Sequence, residues 1–174
     1  MRSGLGSLFN FIAVFTYVSF LLAAPPYGFS ATLLGAVFVT YLGGAAVAPM
    51  TGWAVARFGR RRFIIAILTV WVAGTLLLLA RPVAGIMAGL ALFAVCGMLC
   101  QTLSTGYVTA IAKEGRSSAV GLYVMFFYIG GSAGAFLPGL AWNAAGWTAC
   151  VAMVVAMLIA MAALAAFAYR GVTS

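Results

Sequence analysis

The stretch GWAVARFGRRRFII, residues 52–65, sets Arg57, Arg60, Arg61 and Arg62 close together, with apolar sequence on either side. Elsewhere charge is scarce. The 174-residue chain holds 9 Lys plus Arg, 1 Asp plus Glu and no His. Nearly half of its basic residues therefore crowd one short turn.

Composition decides the solvent. Hydrophobic residues make up 66% of the chain and charged residues 6%, with a mean hydropathy of +1.20. A soluble domain carries about 25% charged residues. This chain could not cover a water-facing surface, so lipid must surround it. The net charge of +8 does not point to nucleic acid, because the basic residues punctuate apolar runs instead of forming a polar binding face.

A membrane helix needs about 20 mostly apolar residues. Six runs qualify, at about 8–24, 31–56, 63–80, 83–110, 118–142 and 147–169. Pro25-Pro26 ends the first run, Ser30 is a candidate N-cap for the second, and Arg81-Pro82 ends the third. Connections this short make consecutive helices antiparallel neighbours. Two-residue alternation is absent and the apolar runs are long, which excludes a β-barrel. The expected fold is an all-α membrane protein, one bundle of six transmembrane helices over residues 1–174. The first run, following Arg2, would also suit a signal peptide; the later helices keep their places either way.

Lys and Arg accumulate in cytoplasmic loops. Threading six helices puts Arg2, Arg57, Arg60, Arg61, Arg62, Lys113, Arg116 and Arg170 on one side and leaves Arg81 on the other. Both termini and the four-arginine turn are thus expected in the cytoplasm, where the arginines stay in water and against anionic headgroups.

The spacing Gly52, Arg57, Gly59, Arg60, Arg61, lying after the second of six helices, resembles the loop signature of the major facilitator superfamily. The stretches FVTYLGGAAVAPMTGWAVARFGRRR (38–62) and YIGGSAGAFLPGLAWNAAGW (128–147) are similar to C-terminal halves of its sugar-efflux and drug-efflux branch. The signature's usual Asp is replaced by Ala56. The resemblance implies helices seven to twelve of a twelve-helix carrier in a bacterial inner membrane. It would export a small neutral or amphipathic solute, completed by a second six-helix half or by a second copy of the chain. A non-transporting membrane scaffold on the same half-fold is the alternative. Gly52 is expected to bring the second helix against a neighbour and Gly59 to allow a tight turn. The arginines would latch one conformation, with Glu114 as a candidate partner for Arg57, Arg60 or Arg61.

Small residues let membrane helices approach closely. Gly44, Ala48 and Gly52 offer such a row on the second helix, Gly85 and Gly89 on the fourth, and Gly130 and Gly134 on the fifth. Pro49 and Pro138 are expected to bend their helices. The motif GGSAGAFLPG partly matches a gating signature of antiporters in the superfamily, so Gly130, Gly134 and Pro138 are candidates for gating as well as packing.

Chemistry is otherwise sparse. Cys96, Cys100 and Cys150 are expected as buried thiols; no metal site, cofactor or enzymatic activity is expected. No carboxylate lies at membrane depth, where proton-coupled carriers keep ionisable groups. In the superfamily, the first and fourth helices of each half line the central cavity. Candidate solute contacts are Asn10 and Tyr17 on the first helix, Tyr41 on the second, Gln101 and Thr105 on the fourth, and Tyr128 on the fifth. If the threading is right, cysteines introduced at positions 57–62 react with a membrane-impermeant reagent only from the cytoplasmic side. Reaction from outside would contradict it.

Overall fold

The computed structural model describes residues 2–111 and 116–168. Lys113, Glu114 and Arg170 lie outside them, and so does the expected pairing of Glu114 with the arginines.

The helices follow the apolar runs. α1 is Arg2–Ala23, 22 residues, long enough for a hydrocarbon core about 30 Å thick. Among the described residues, four helical stretches are long and apolar enough to cross a membrane: Leu5–Ala23, Ala31–Phe58, Val83–Ala110 and Ser117–Ala165. We call Ala31–Phe58 α2, Arg60–Leu77 α3 and Val83–Ile111 α4. The last helical stretch, Arg116–Ala168, has 53 residues, more than two bilayer crossings at 1.5 Å per residue. It reverses at Ala145 (φ −149°, ψ 21°) and Gly146 (φ 67°, ψ −152°). Gly146 takes a backbone region that side chains disfavour. The Cys150 thiol donates to the Pro138 carbonyl across this hairpin at 3.2 Å. Residues 116–144 are α5 and residues 147–168 are α6.

α2 differs from the single rod expected. It runs as Ala31–Val37, Thr40–Val47, a 3₁₀ turn at Ala48–Met50 and Thr51–Phe58. Pro49 accounts for the 3₁₀ turn, since it has no N–H to offer. The break at Phe38–Val39 holds neither Gly nor Pro. Thr40 Oγ1 donates to the Val37 carbonyl at 2.7 Å and Thr51 Oγ1 to the Ala48 carbonyl at 2.6 Å, satisfying carbonyls at both irregularities. Pro138, by contrast, sits inside α5, and the non-helical angles of this rod fall at Ala145 and Gly146.

α1 is the axis of the bundle. Phe9, Val14, Val18 and Leu22 are almost fully buried, in one core cluster with Trp71 of α3, Leu78 just past its end, Phe93 of α4 and Leu158 of α6. α5 joins through glycine. A Cβ on Gly130 would collide with the Leu5 backbone carbonyl, and one on Gly134 with the Phe9 backbone. The same device recurs more gently elsewhere. A Cβ on Gly89 would lie 2.9 Å from the Gly74 carbonyl oxygen, joining α3 to α4, and one on Gly44 would lie 2.9 Å from the Ala94 carbonyl oxygen, joining α2 to α4. Gly52 does not act this way. Nothing among the described residues lies within 4 Å of its would-be Cβ, because Gly52 shares the outward face of α2 with exposed Trp53, while Thr51 and Ala54 on the other face are buried.

One end of the bundle is tied by two hydrogen bonds. Tyr27 Oη donates to the Arg81 carbonyl at 2.7 Å, and Trp147 Nε1 to the Leu78 carbonyl at 2.8 Å. They join the turns after α1 and α3 to the start of α6.

Gly134→Val should therefore push α5 off α1 and cost at least about 1–3 kcal/mol as overpacking, whereas Gly52→Val should leave stability nearly unchanged. Thermal unfolding of the two variants in lipid checks this contrast.

Candidate functional site

Helices α1, α2, α4 and α5 enclose a half-open cleft of about 70 Å³. Ser7, Leu8 and Phe11 come from α1, Tyr41 from α2, Gly97, Met98 and Gln101 from α4, and Phe127 from α5. Gly97 is what lets Phe11 in, since a Cβ there would overlap the ring. Phe11 in turn meets Tyr41 edge-on, with ring centroids 4.7 Å apart. One wall is thus aromatic and fixed by packing.

The polar side of the cleft centres on Gln101. Tyr123 Oη donates to Gln101 Oε1 at 2.8 Å. Thr105 Oγ1 also donates to the Gln101 backbone carbonyl at 3.0 Å. Ser7 Oγ donates weakly to Cys100 Sγ at 3.9 Å. The lining therefore offers an amide, hydroxyls and aromatic faces, with no charged side chain. Such a surface suits a solute held by a few directed hydrogen bonds on an apolar wall. Among the described residues no group of His, Cys, Asp or Glu could hold a metal ion, and Cys96, Cys100 and Cys150 are buried free thiols.

The residues singled out from the sequence separate into groups. Tyr41 and Gln101 meet at the cleft, and Thr105 lies one turn beyond. Asn10 is fully buried; its Nδ2 faces Met161 Sδ of α6 at 3.6 Å, and its Oδ1 has no partner among the described residues. Tyr17 donates to the Ala135 carbonyl of α5 at 2.9 Å. Both thus turn toward the α5–α6 hairpin, away from the cleft lining. Tyr128 is 65% exposed and packs edge-on against Phe127. Ser7, Tyr123 and Phe127 escaped the sequence reading. A signal for Tyr123 was present: it stands seven residues before Gly130, so it shares the face that α5 turns to α1.

The arginine turn forms a second cluster. Gly59 (φ 77°, ψ 144°) ends α2 and opens α3. The Arg57 guanidinium lies over the Trp53 ring at 5.9 Å, and that of Arg60 over the Tyr107 ring at 5.1 Å. Arg60 reaches inward to α4, and its Nη1 is buried with no hydrogen-bond partner among the described residues. Arg61 and Arg62 are exposed.

No solved structure matches the chain. Three curated proteins are similar to it. One, named as an uncharacterized MFS-type transporter of Bacillus subtilis, is 26% identical over 161 residues, 92% of this chain and 40% of the relative. Two proteins of Buchnera aphidicola, each named as an uncharacterized transporter, are 25% identical over 79% of the chain and 24% identical over 86% of it. This chain spans 34% and 36% of those two relatives' lengths. The model of the Major Facilitator Superfamily matches residues 4–173. An all-helical bundle with a basic turn after its second helix, matched by that model over nearly its whole length, belongs to the Major Facilitator Superfamily and is a multi-pass membrane protein.

Proposed function

We propose that the chain is one six-helix half of a secondary-active carrier that exports a small neutral or amphipathic solute by alternating access. The observation that supports this is the cleft among α1, α2, α4 and α5, lined by Gln101, which Tyr123 holds from behind, and by the aromatic rings of Phe11 and Tyr41. Ligand pockets for small molecules are commonly about 300–1,000 Å³. The cleft, at about 70 Å³, is too small to enclose such a solute. A second six-helix half, or a second copy of the chain, would supply the facing wall. α1 and α4 would then line the cavity between the halves, with α2 and α5 at its edges.

In this reading the basic turn faces the cytoplasm of a bacterial inner membrane, with both termini on the same side. Coupling to protons would need a titrating group from the second half, because the only acid of the chain, Glu114, lies between α4 and α5. As an antiporter the chain would therefore act only in combination. The small cleft also favours one other reading, a non-transporting membrane scaffold that keeps the half-fold.

Oligomeric state and solute flux in vesicles separate the two. A carrier gives flux only from a two-half particle, and a scaffold gives none from any particle. Within the carrier, Tyr123→Phe should free the Gln101 amide from its 2.8 Å hydrogen bond and lower the apparent solute affinity by up to about fivefold, the worth of one positioning hydrogen bond of about 1 kcal/mol, with helix content unchanged. Gln101→Leu should lower it further. Unaltered flux in both variants would remove the cleft from the transport path.

A further inference from the structure

We propose that the arginine turn is a binding site for an anionic phospholipid, gripping its headgroup phosphate with Arg57, Arg61 and Arg62 and its upper acyl chain with Trp53 and Phe58. Charge arithmetic is the first support. The chain has one acidic residue in all, so its side-chain carboxylates can neutralise at most one of the four clustered guanidiniums. The others have no side-chain carboxylate of this chain to pair with and are open to anions from outside it. Arg60 is turned inward over Tyr107, which leaves Arg57, Arg61 and Arg62 on the outer surface of the turn, all exposed.

The backbone adds to the same field. α3 begins at Arg60 with no side-chain cap and no acid in its first turn. Its first N–H groups lack intrahelical acceptors and carry the positive end of the helix dipole. Phe63 N is the first to find a carbonyl, that of Gly59, at 3.1 Å. Guanidinium forks together with these N–H groups match the oxygens of a phosphate.

The aromatic pair selects the source of that phosphate. Trp53 is 59% exposed and Phe58 52% exposed, with rings 6.2 Å apart at 86°. They stand beside the arginines, and the Trp53 ring carries the Arg57 guanidinium. A soluble phosphate would give these two rings nothing to contact. A phospholipid places apolar chain against them and charge against the arginines, the arrangement that interfacial aromatic and basic residues favour. The site requires that the turn meet a leaflet holding anionic lipid and that the Trp53 face of α2 stay open to it, and it is independent of which solute is carried.

The test uses the full chain in phosphatidylcholine vesicles containing phosphatidylglycerol, with the acyl chains of one or the other lipid brominated. Tryptophan quenching is read in the native chain and in Trp53→Phe, so that the difference reports Trp53. At equal mole fraction, brominated phosphatidylglycerol should quench Trp53 more strongly than brominated phosphatidylcholine. The preference should fade with added salt. Arg61→Gln and Arg62→Gln should each lower the apparent affinity for phosphatidylglycerol about fivefold. Arg61→Lys and Arg62→Lys should fall between these and the native chain, and they carry the test if the glutamine variants fail to fold. Equal quenching by the two lipids overturns the site. A preference that survives removal of all three arginine charges does so too. If inorganic phosphate displaces the lipid effect at matched concentration, the turn binds soluble phosphate and the lipid assignment fails.

Discussion

Where Gly130 and Gly134 of α5 would carry side chains, the backbone of α1 at Leu5 and Phe9 already occupies the space. In water, two helices meet because burying their apolar faces is favourable. In lipid that drive is absent, since acyl chains are as apolar as leucine, and close packing of surfaces has to hold helices together. α1 packs against α5 and α6 on one side and against α4 and α2 on the other, and α5 comes closest to it along this row of small residues. The cleft depends on that contact. Tyr123 and Phe127 stand two turns and one turn before Gly130 on the same helix, so the depth to which α5 seats on α1 fixes how far they reach toward Gln101 and Phe11.

Polar groups follow a consistent economy across the bundle. Thr40 and Thr51 satisfy carbonyls at the two irregularities of α2. Tyr27 and Trp147 tie the turns at one end. Guanidinium groups gather at Gly59, where Arg60 turns inward over Tyr107, and the rest of the described interior is left uncharged. An unpaired charge at membrane depth is expensive, and this chain avoids it among its described residues. What remains inside is a small set of hydroxyls and amides. They can direct a neutral solute but cannot titrate for it.

Much of this was visible in the residues. The apolar runs, the Pro25-Pro26 and Arg81-Pro82 breaks and the gap at 143–146 between the last two runs mark out the rods, because membrane thickness imposes their length. Gly130 and Gly134 announced a close approach by their four-residue spacing. Other features depend on partners that a linear reading does not supply. The break at Phe38–Val39 has no Gly or Pro to signal it. α3 ends at Leu77 instead of near Ala80, and α1 extends back to Arg2, because helix ends depend on local hydrogen bonds more than on hydropathy. Asn10 looked like a cavity residue by type, yet it faces Met161, since helical spacing fixes which residues share a face but not which neighbour that face meets. Tyr123 was passed over for the same reason.

The seating of α5 on α1 is most directly measured by solid-state carbon–carbon correlation in lipid, with Gly130 and Gly134 labelled at Cα and Leu5 and Phe9 labelled along the backbone. Short-range cross-peaks linking Gly130 to Leu5 and Gly134 to Phe9 are expected. Their absence from a folded, lipid-embedded sample would mean that the two helices do not meet through their backbones, and the cleft built on that contact would fall with it.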